Sequence, residues 1–296
     1  MASASNFTDF IQACDAAGLR VFMTNEQHLP VDHLERNNRA LFQACRDGAE
    51  EICEVLISFG ADVNSVDVNQ QTHLFIACKN AHPACVDLLL AHGVNVNAGD
   101  LNDGETPLMV TAREDDTPNG LTLDQFIDNR CRCMSSLIAA GAVIDQTDVH
   151  DRTALIGATW NFRLMEILVE AGANLNLLDT DQDSALHYAS EKNNVVELLL
   201  ENGVDIDAVN VDGETPMHLA CYNLNPSVVV LFLRHNADID MLNNDDRTAL
   251  QVAMSSHTSP NRVDVQQLIA TYAQMRLEES LADWIRLERN ERLSQH

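Results

Sequence analysis

Along most of the chain, short apolar faces at helical spacing alternate with clusters of Asp, Asn and Gly. In "ETPMHLACYN", from Glu214, a Thr and a Pro precede apolar residues and a small Ala-Cys pair on one helix face. The Thr hydroxyl can cap a free backbone N–H. Pro at the next position has its φ preset and lacks an N–H that would be orphaned there. In "VVELLLENG", from Val195, the apolar run predicts a second helix, and Gly203 can end it in the left-handed conformation. The Asp, Asn and Gly that follow predict turns. Near the end, Val265, Leu268, Ile269 and Tyr272, then Leu277, Leu281, Trp284 and Ile285, keep the same helical spacing.

The pattern recurs. "NRALFQACRD", "QTHLFIACKN", "ETPLMVTARE", "RTALIGATWN", "DSALHYASEK" and "RTALQVAMSS" repeat the stretch at Glu214, and their Thr-equivalent residues are Arg39, Thr72, Thr106, Thr153, Ser184, Thr215 and Thr248. A second signature keeps the same beat: "GADVN", "GVNVN", "GAVID", "GANLN", "GVDID" and "NADID". Two short helices and a turn bury no core alone, but stacked copies do.

Both motifs in register resemble the ankyrin repeat, a unit of about 33 residues with a Thr-Pro-Leu-His-x-Ala pattern. The resemblance implies an all-α ankyrin-repeat solenoid of about eight helix-turn-helix units with β-turn or hairpin-like connections. The expected organisation is a degenerate N-terminal capping repeat over 1–38, an array over 39–276 with a long insertion at about 114–130, and a C-terminal amphipathic helix or tail over 277–296. His187 and His218 sit at the repeat's His position, where the family uses that side chain to tie the turn to the helix ends. Met109, Ile156 and Gln251 replace it, so those units are expected to lose the tie. The units at Thr153 and Ser184 are two residues short, which predicts tight inter-helix turns.

Composition narrows the function. The chain has 296 residues, 46% of them apolar, enough for a sizeable core. A net charge of −27 argues against nucleic acid, which needs a basic footprint, and against anionic membrane surfaces. It suits a protein partner of basic character, or serves solubility alone. No apolar run reaches the roughly 20 residues that span a bilayer, and no secretory signal is read at the start. Four of the eight cysteines, Cys14, Cys45, Cys78 and Cys221, fill the small-residue slot, which explains them as core. A cytoplasmic or nuclear, monomeric protein is expected. No catalytic, metal or cofactor motif is present in the sequence: "CRCM" at Cys131 lacks a second pair at zinc spacing.

In ankyrin arrays the first helices line a concave groove. The positions after the Ala-Ala pair form one row, which includes Arg46, Lys79, Arg113, Trp160, Glu191 and Tyr222, and a second, which includes Asn161 and Asn223. Trp160, Glu191 and Tyr222 share one slot counted from the Thr, which would set the two aromatics about 20 Å apart as anchors for an extended peptide, with Glu191 facing its Lys or Arg; the alternative is that Trp160 folds down and packs on its neighbour because its unit has a shortened inter-helix turn. The insertion "REDDTPNGLTLDQFIDNR" is either a functional loop or a tolerated one; Thr122 and Gln125 in it read as a capping box. Leu281, Trp284 and Ile285 either fold back on the array or serve a partner. The resemblance further implies asparaginyl hydroxylation at Asn64, Asn97 and Asn176, each with Leu eight residues earlier (Leu56, Leu89, Leu168). The expected function is a non-enzymatic interaction scaffold or adaptor. The alternative is a targeting or regulatory subunit that recruits a ubiquitin ligase or phosphatase through the tail or insertion.

Overall fold

The computed structural model describes residues 7–25, 32–115, 117, 121–255, 264–271 and 273–274. The chain divides into two compact units, Met1–Asn174 and Leu175–His296. The described residues are helical, with isolated antiparallel bridges at Val66–Thr72 and Leu178–Ser184 in place of strands.

The first unit holds α1 (Phe7–Gln12), α2 (Ala16–Asn25), α3 (Asp32–Asp47), α4 (Glu50–Ser58), α5 (His73–Lys79), α6 (Pro83–Ala91), α7 (Pro107–Ala112), α8 (Leu123–Ala139), α9 (Ala154–Gly157) and α10 (Phe162–Glu170). The first helices pack in the order α3, α5, α7, α9, and the second helices in the order α4, α6, α8, α10. At the N-terminal end α2 packs on α4, and Phe7, Phe10 and Phe22 cluster between α1 and α2. α3 runs straight through Arg39, because no hydroxyl stands there to start a helix. The second unit holds α11 (Ala185–Tyr188), α12 (Asn193–Glu201), α13 (Pro216–Tyr222), α14 (Pro226–Arg234) and α15 (Ala249–Ser255), followed by a helical stretch at 264–271.

Local chemistry sets the helix starts. The hydroxyls of Thr72, Thr106, Thr153, Ser184 and Thr215 each accept the N–H three residues on. Such a cap is worth about 1 kcal/mol. Helix ends use the left-handed region: Gly203 has φ 80°, and Asn236, at the same repeat position, has φ 61°. Asn is the residue that replaces Gly there at least cost.

Between repeats, one acceptor recurs at the end of the "GADVN" signature. The Oδ1 of Asn64, Asn97, Asp145, Asn176 and Asp207 accepts the N–H of Asn95, Val143, Asn174, Asp205 and Asp238, at 2.8 to 3.0 Å. Asn38 begins the series by accepting from Asp62 at 2.8 Å. Asn and Asp serve equally because the bond needs only an oxygen.

The histidines are structural. His187 Nδ1 accepts the Ser184 N–H at 3.1 Å and its Nε2–H faces the Glu214 carbonyl at 3.0 Å; His218 does the same with Thr215 and Arg247. Of Met109, Ile156 and Gln251, two keep part of this tie; Ile156, a hydrocarbon, has no acceptor to offer. Met109 Sδ accepts the Thr106 N–H, and Gln251 Oε1 accepts that of Thr248 at 2.8 Å. His73, at the Pro position, is fully buried, stacks on Phe42 at 3.8 Å and lies within 3.3 Å of the carbonyls of Val63 and Asn38.

Burial pulls His73, His187 and His218 below the ordinary value of 6.5. The unfolded chain therefore binds these protons first as pH falls. Their neutral contribution is full above about pH 6.5 and is lost below it, at up to about 1.4 kcal/mol per group per pH unit. We expect the thermal midpoint to fall steeply from about pH 7 to 5. His187→Gln with His218→Gln, copying Gln251, should flatten that profile in a melt series while keeping both helices capped.

The two-residue deletions do not tighten the turns. They shorten the first helix instead: α9 and α11 are 4 residues long, against 7 for α5 and α13. The full-length units place Gly48, Ala81 or Leu224 in the left-handed region between their helices. The short units have no such residue there and use an extended N-cap, Asn161 or Lys192.

From Leu123 on, the insertion is helix. The expected capping box forms: Thr122 Oγ1 accepts the Gln125 N–H at 3.2 Å, and Gln125 Oε1 accepts that of Thr122 at 3.0 Å. α8 is consequently 17 residues long. Near its middle α8 carries Arg130, whose side chain is wholly buried. The guanidinium donates to the carbonyls of Thr111 and Arg113 and pairs with Asp115 at 2.8 Å, while its plane lies over Phe126 at 4.4 Å. Burial pulls the Arg130 group below its ordinary value, and Asp115 opposes the shift. The ion pair fastens the beginning of the insertion to α8.

Candidate interaction surface

The predicted groove rows divide once the side chains are placed. Arg46 and Lys79 are exposed at the ends of α3 and α5. Arg113 is half-buried and committed, with Glu105 at 2.5 Å and Asp115 at 3.3 Å. Asn161 caps α10 by accepting from Arg163 and Leu164. Asn223 is exposed after α13 and donates to Ser190 Oγ at 3.4 Å.

Trp160 is half-buried, and its indole N–H donates to the Ala112 carbonyl at 2.7 Å. Counting from the Thr assigns it the slot of Tyr222, but the shortened α9 moves it off the helix and into the turn before α10. Glu191 likewise falls in the turn after α11, exposed, whereas Tyr222 is the last residue of α13. Trp160 belongs to the first unit, and Glu191 and Tyr222 to the second.

In the second unit a different pair stands out. Tyr222 is 61% exposed and Tyr188 is 47% exposed. They lie on α13 and α11, the packed first helices of successive repeats, which stack at about 10 Å. Tyr188 occupies the x of the Thr-Pro-Leu-His-x-Ala pattern. Its hydroxyl donates to Asp179 Oδ2 at 2.6 Å, which fixes the ring against the turn. Asp179 Oδ1 meanwhile accepts from Asp181 and Asp183 N–H groups and holds that turn. Sequence reading passed over Tyr188 by following only positions after the Ala pair; an aromatic at x, opposite the buried His187, was the available signal.

Seven of the eight cysteines are buried. Burial pushes Cys133 and Cys221 up to about 12, which keeps them protonated. Among the described residues no group of three or more His, Cys, Asp or Glu is arranged to hold a metal ion, and no helix is long and apolar enough to cross a membrane.

Asn64 and Asn176 are exposed and Asn97 is half-buried, with each Oδ1 held in the inter-repeat series. The leucines eight residues before them, Leu56, Leu89 and Leu168, are all fully buried in second helices.

A family model for ankyrin repeats, in three copies, matches residues 20–122, 125–210 and 192–277. The solved ankyrin repeat domain of human ASB11 is similar to this chain at 26% identity and a TM-score of 0.63, over 76% of this chain and 95% of that one. No curated protein sequence matches.

Proposed function

Because the chain belongs to the ankyrin repeat family, whose repeats form protein-interaction domains, we propose that it is a non-enzymatic scaffold or adaptor for a partner with an extended, basic segment. The observation that carries this reading is the pair of exposed tyrosines, Tyr188 and Tyr222, on successive first helices. An exposed position on a short helix has no packing reason to be aromatic, and tyrosine gives large contact area at little entropic cost. Glu191, exposed between them in sequence, supplies a carboxylate for a Lys or Arg of the partner, and the net charge of −27 steers such a ligand. Arg46 and Lys79 in the first unit offer separate sites for acidic side chains.

The test is binding to a library of immobilised peptides of mixed sequence and charge, followed by variants against the best binders. Tyr188→Ala and Tyr222→Ala should each weaken binding by about 2 kcal/mol, roughly 30-fold; Tyr222→Ala should leave melting unchanged, while Tyr188→Ala should cost about 1 kcal/mol of stability with its bond to Asp179. Selection of acidic peptides, or full retention of binding by both variants, would overturn the reading.

We also propose asparaginyl hydroxylation, first at Asn64. Since Leu56 is buried, an enzyme that reads this segment as an extended chain must act while α4 is open. Peptide mass spectrometry after incubation with such a hydroxylase should find one added oxygen on Asn64, and more of it in a variant destabilised in α4; an unmodified Asn64 in both counts against it.

A further inference from the structure

We propose that residues 277–285 of this chain dock into an apolar groove at the C-terminal end of the second unit, as its own cap. The groove has a volume of about 620 Å³ and lies between α14 and the helical stretch 264–271. Its walls are Val230, Leu233 and Leu268; Arg234, Asp264 and Thr271 stand at its rim. Val230 and Leu268 are only half-buried, although they face a cavity of that size. The opposite charges of Arg234 and Asp264 set a direction for any amphipathic occupant.

The tail fits in length, pattern and charge. The chain leaves the described residues at 274, beyond one wall of the groove. Only Met275 and Arg276 separate Gln274 from Leu277, within the two to five residues that join antiparallel helices. Leu277, Leu281, Trp284 and Ile285 form a stripe at i, i+4, i+7 and i+8. As a helix that stripe is about 12 Å long, and the wall from Asp264 to Thr271 about 10 Å. In the antiparallel direction a short connection imposes, Arg286 arrives at the Asp264 end, while Glu278 and Glu279 enter from the other. A segment tethered this closely meets the groove at high effective concentration, which favours it over a second copy or a separate partner. The inference does not depend on the peptide-binding reading, since the groove is formed by second helices and not by Tyr188 or Tyr222.

The experiment uses the full chain with Trp160→Phe, which leaves Trp284 as its sole tryptophan, and reads quenching by acrylamide. A docked Trp284 should be severalfold less quenchable than in the urea-unfolded chain, at every protein concentration. Leu268→Lys should raise its quenching towards the unfolded value while the far-ultraviolet circular dichroism stays helical. Thr271→Arg, at an exposed rim position, gives a second reading if Leu268→Lys does not fold. The proposal is overturned if Trp284 is freely quenched in the folded chain. It is also overturned if Trp284 is shielded but indifferent to the groove variant that folds, or shielded only as concentration rises, which would identify a second copy.

Discussion

Arg130→Ala should lower unfolding stability by about 3–5 kcal/mol in urea denaturation, the range for removing one member of a buried ion pair. The side chain is wholly buried and holds the Thr111 and Arg113 carbonyls and the Asp115 carboxylate. Truncation strands these acceptors and opens a cavity beside Phe126. Arg130→Met refills much of the volume but leaves the acceptors unpaired, so it should still cost about 1–3 kcal/mol. A loss under 1 kcal/mol for Arg130→Ala would mean that the insertion is not anchored through this group.

Trp160→Ala should cost about 2 kcal/mol, less than the 3–5 kcal/mol of a fully buried Trp because the ring is half-exposed. Part of the loss is the hydrogen bond to Ala112. Trp160→Phe keeps most of the contact and loses that bond, so about 1 kcal/mol is expected. Tyr222→Ala, at a side chain 61% exposed, should stay within about 0.5 kcal/mol. Parallel thermal melts of the three variants check this. Equal midpoints for Trp160→Ala and the parent would place the indole in solvent and restore it to the groove row.

Much of the fold was legible because its signals are local. A Thr hydroxyl caps the N–H three residues away, and a Gly after an apolar run ends a helix, whatever lies elsewhere in the chain. The family fold followed from the recurrence of these two signals. What was not legible depended on choices made in three dimensions. A two-residue deletion reads the same whether the turn or the helix absorbs it; here α9 and α11 gave up residues, and with them went the shared slot of Trp160 and Tyr222. Arg113 read as a groove cation, yet Glu105 and Asp115, one of them within the insertion, claim it. Arg130 drew no reading at all, although its place in the series Phe126, Arg130, Cys133 and Leu137 puts it on the buried stripe of α8. Polar residues embedded in an apolar stripe are where sequence reading of repeat proteins gains most from asking what pairs with them.

The inter-repeat acceptors bear on how the protein ages. Asparagine side chains hydrolyse slowly to aspartate, a change that ordinarily disrupts a bond made through the amide nitrogen. At Asn64 and Asn176 the bond to the next repeat is made by Oδ1, and Asp145 and Asp207 already make it as carboxylates at 2.9 Å. Loss of the amide nitrogen at either asparagine, where it yields ordinary aspartate, therefore preserves the Oδ1 contact and adds negative charge to an edge that already carries it. A molecule aged at these two positions, heterogeneous by charge, should keep both inter-repeat bonds.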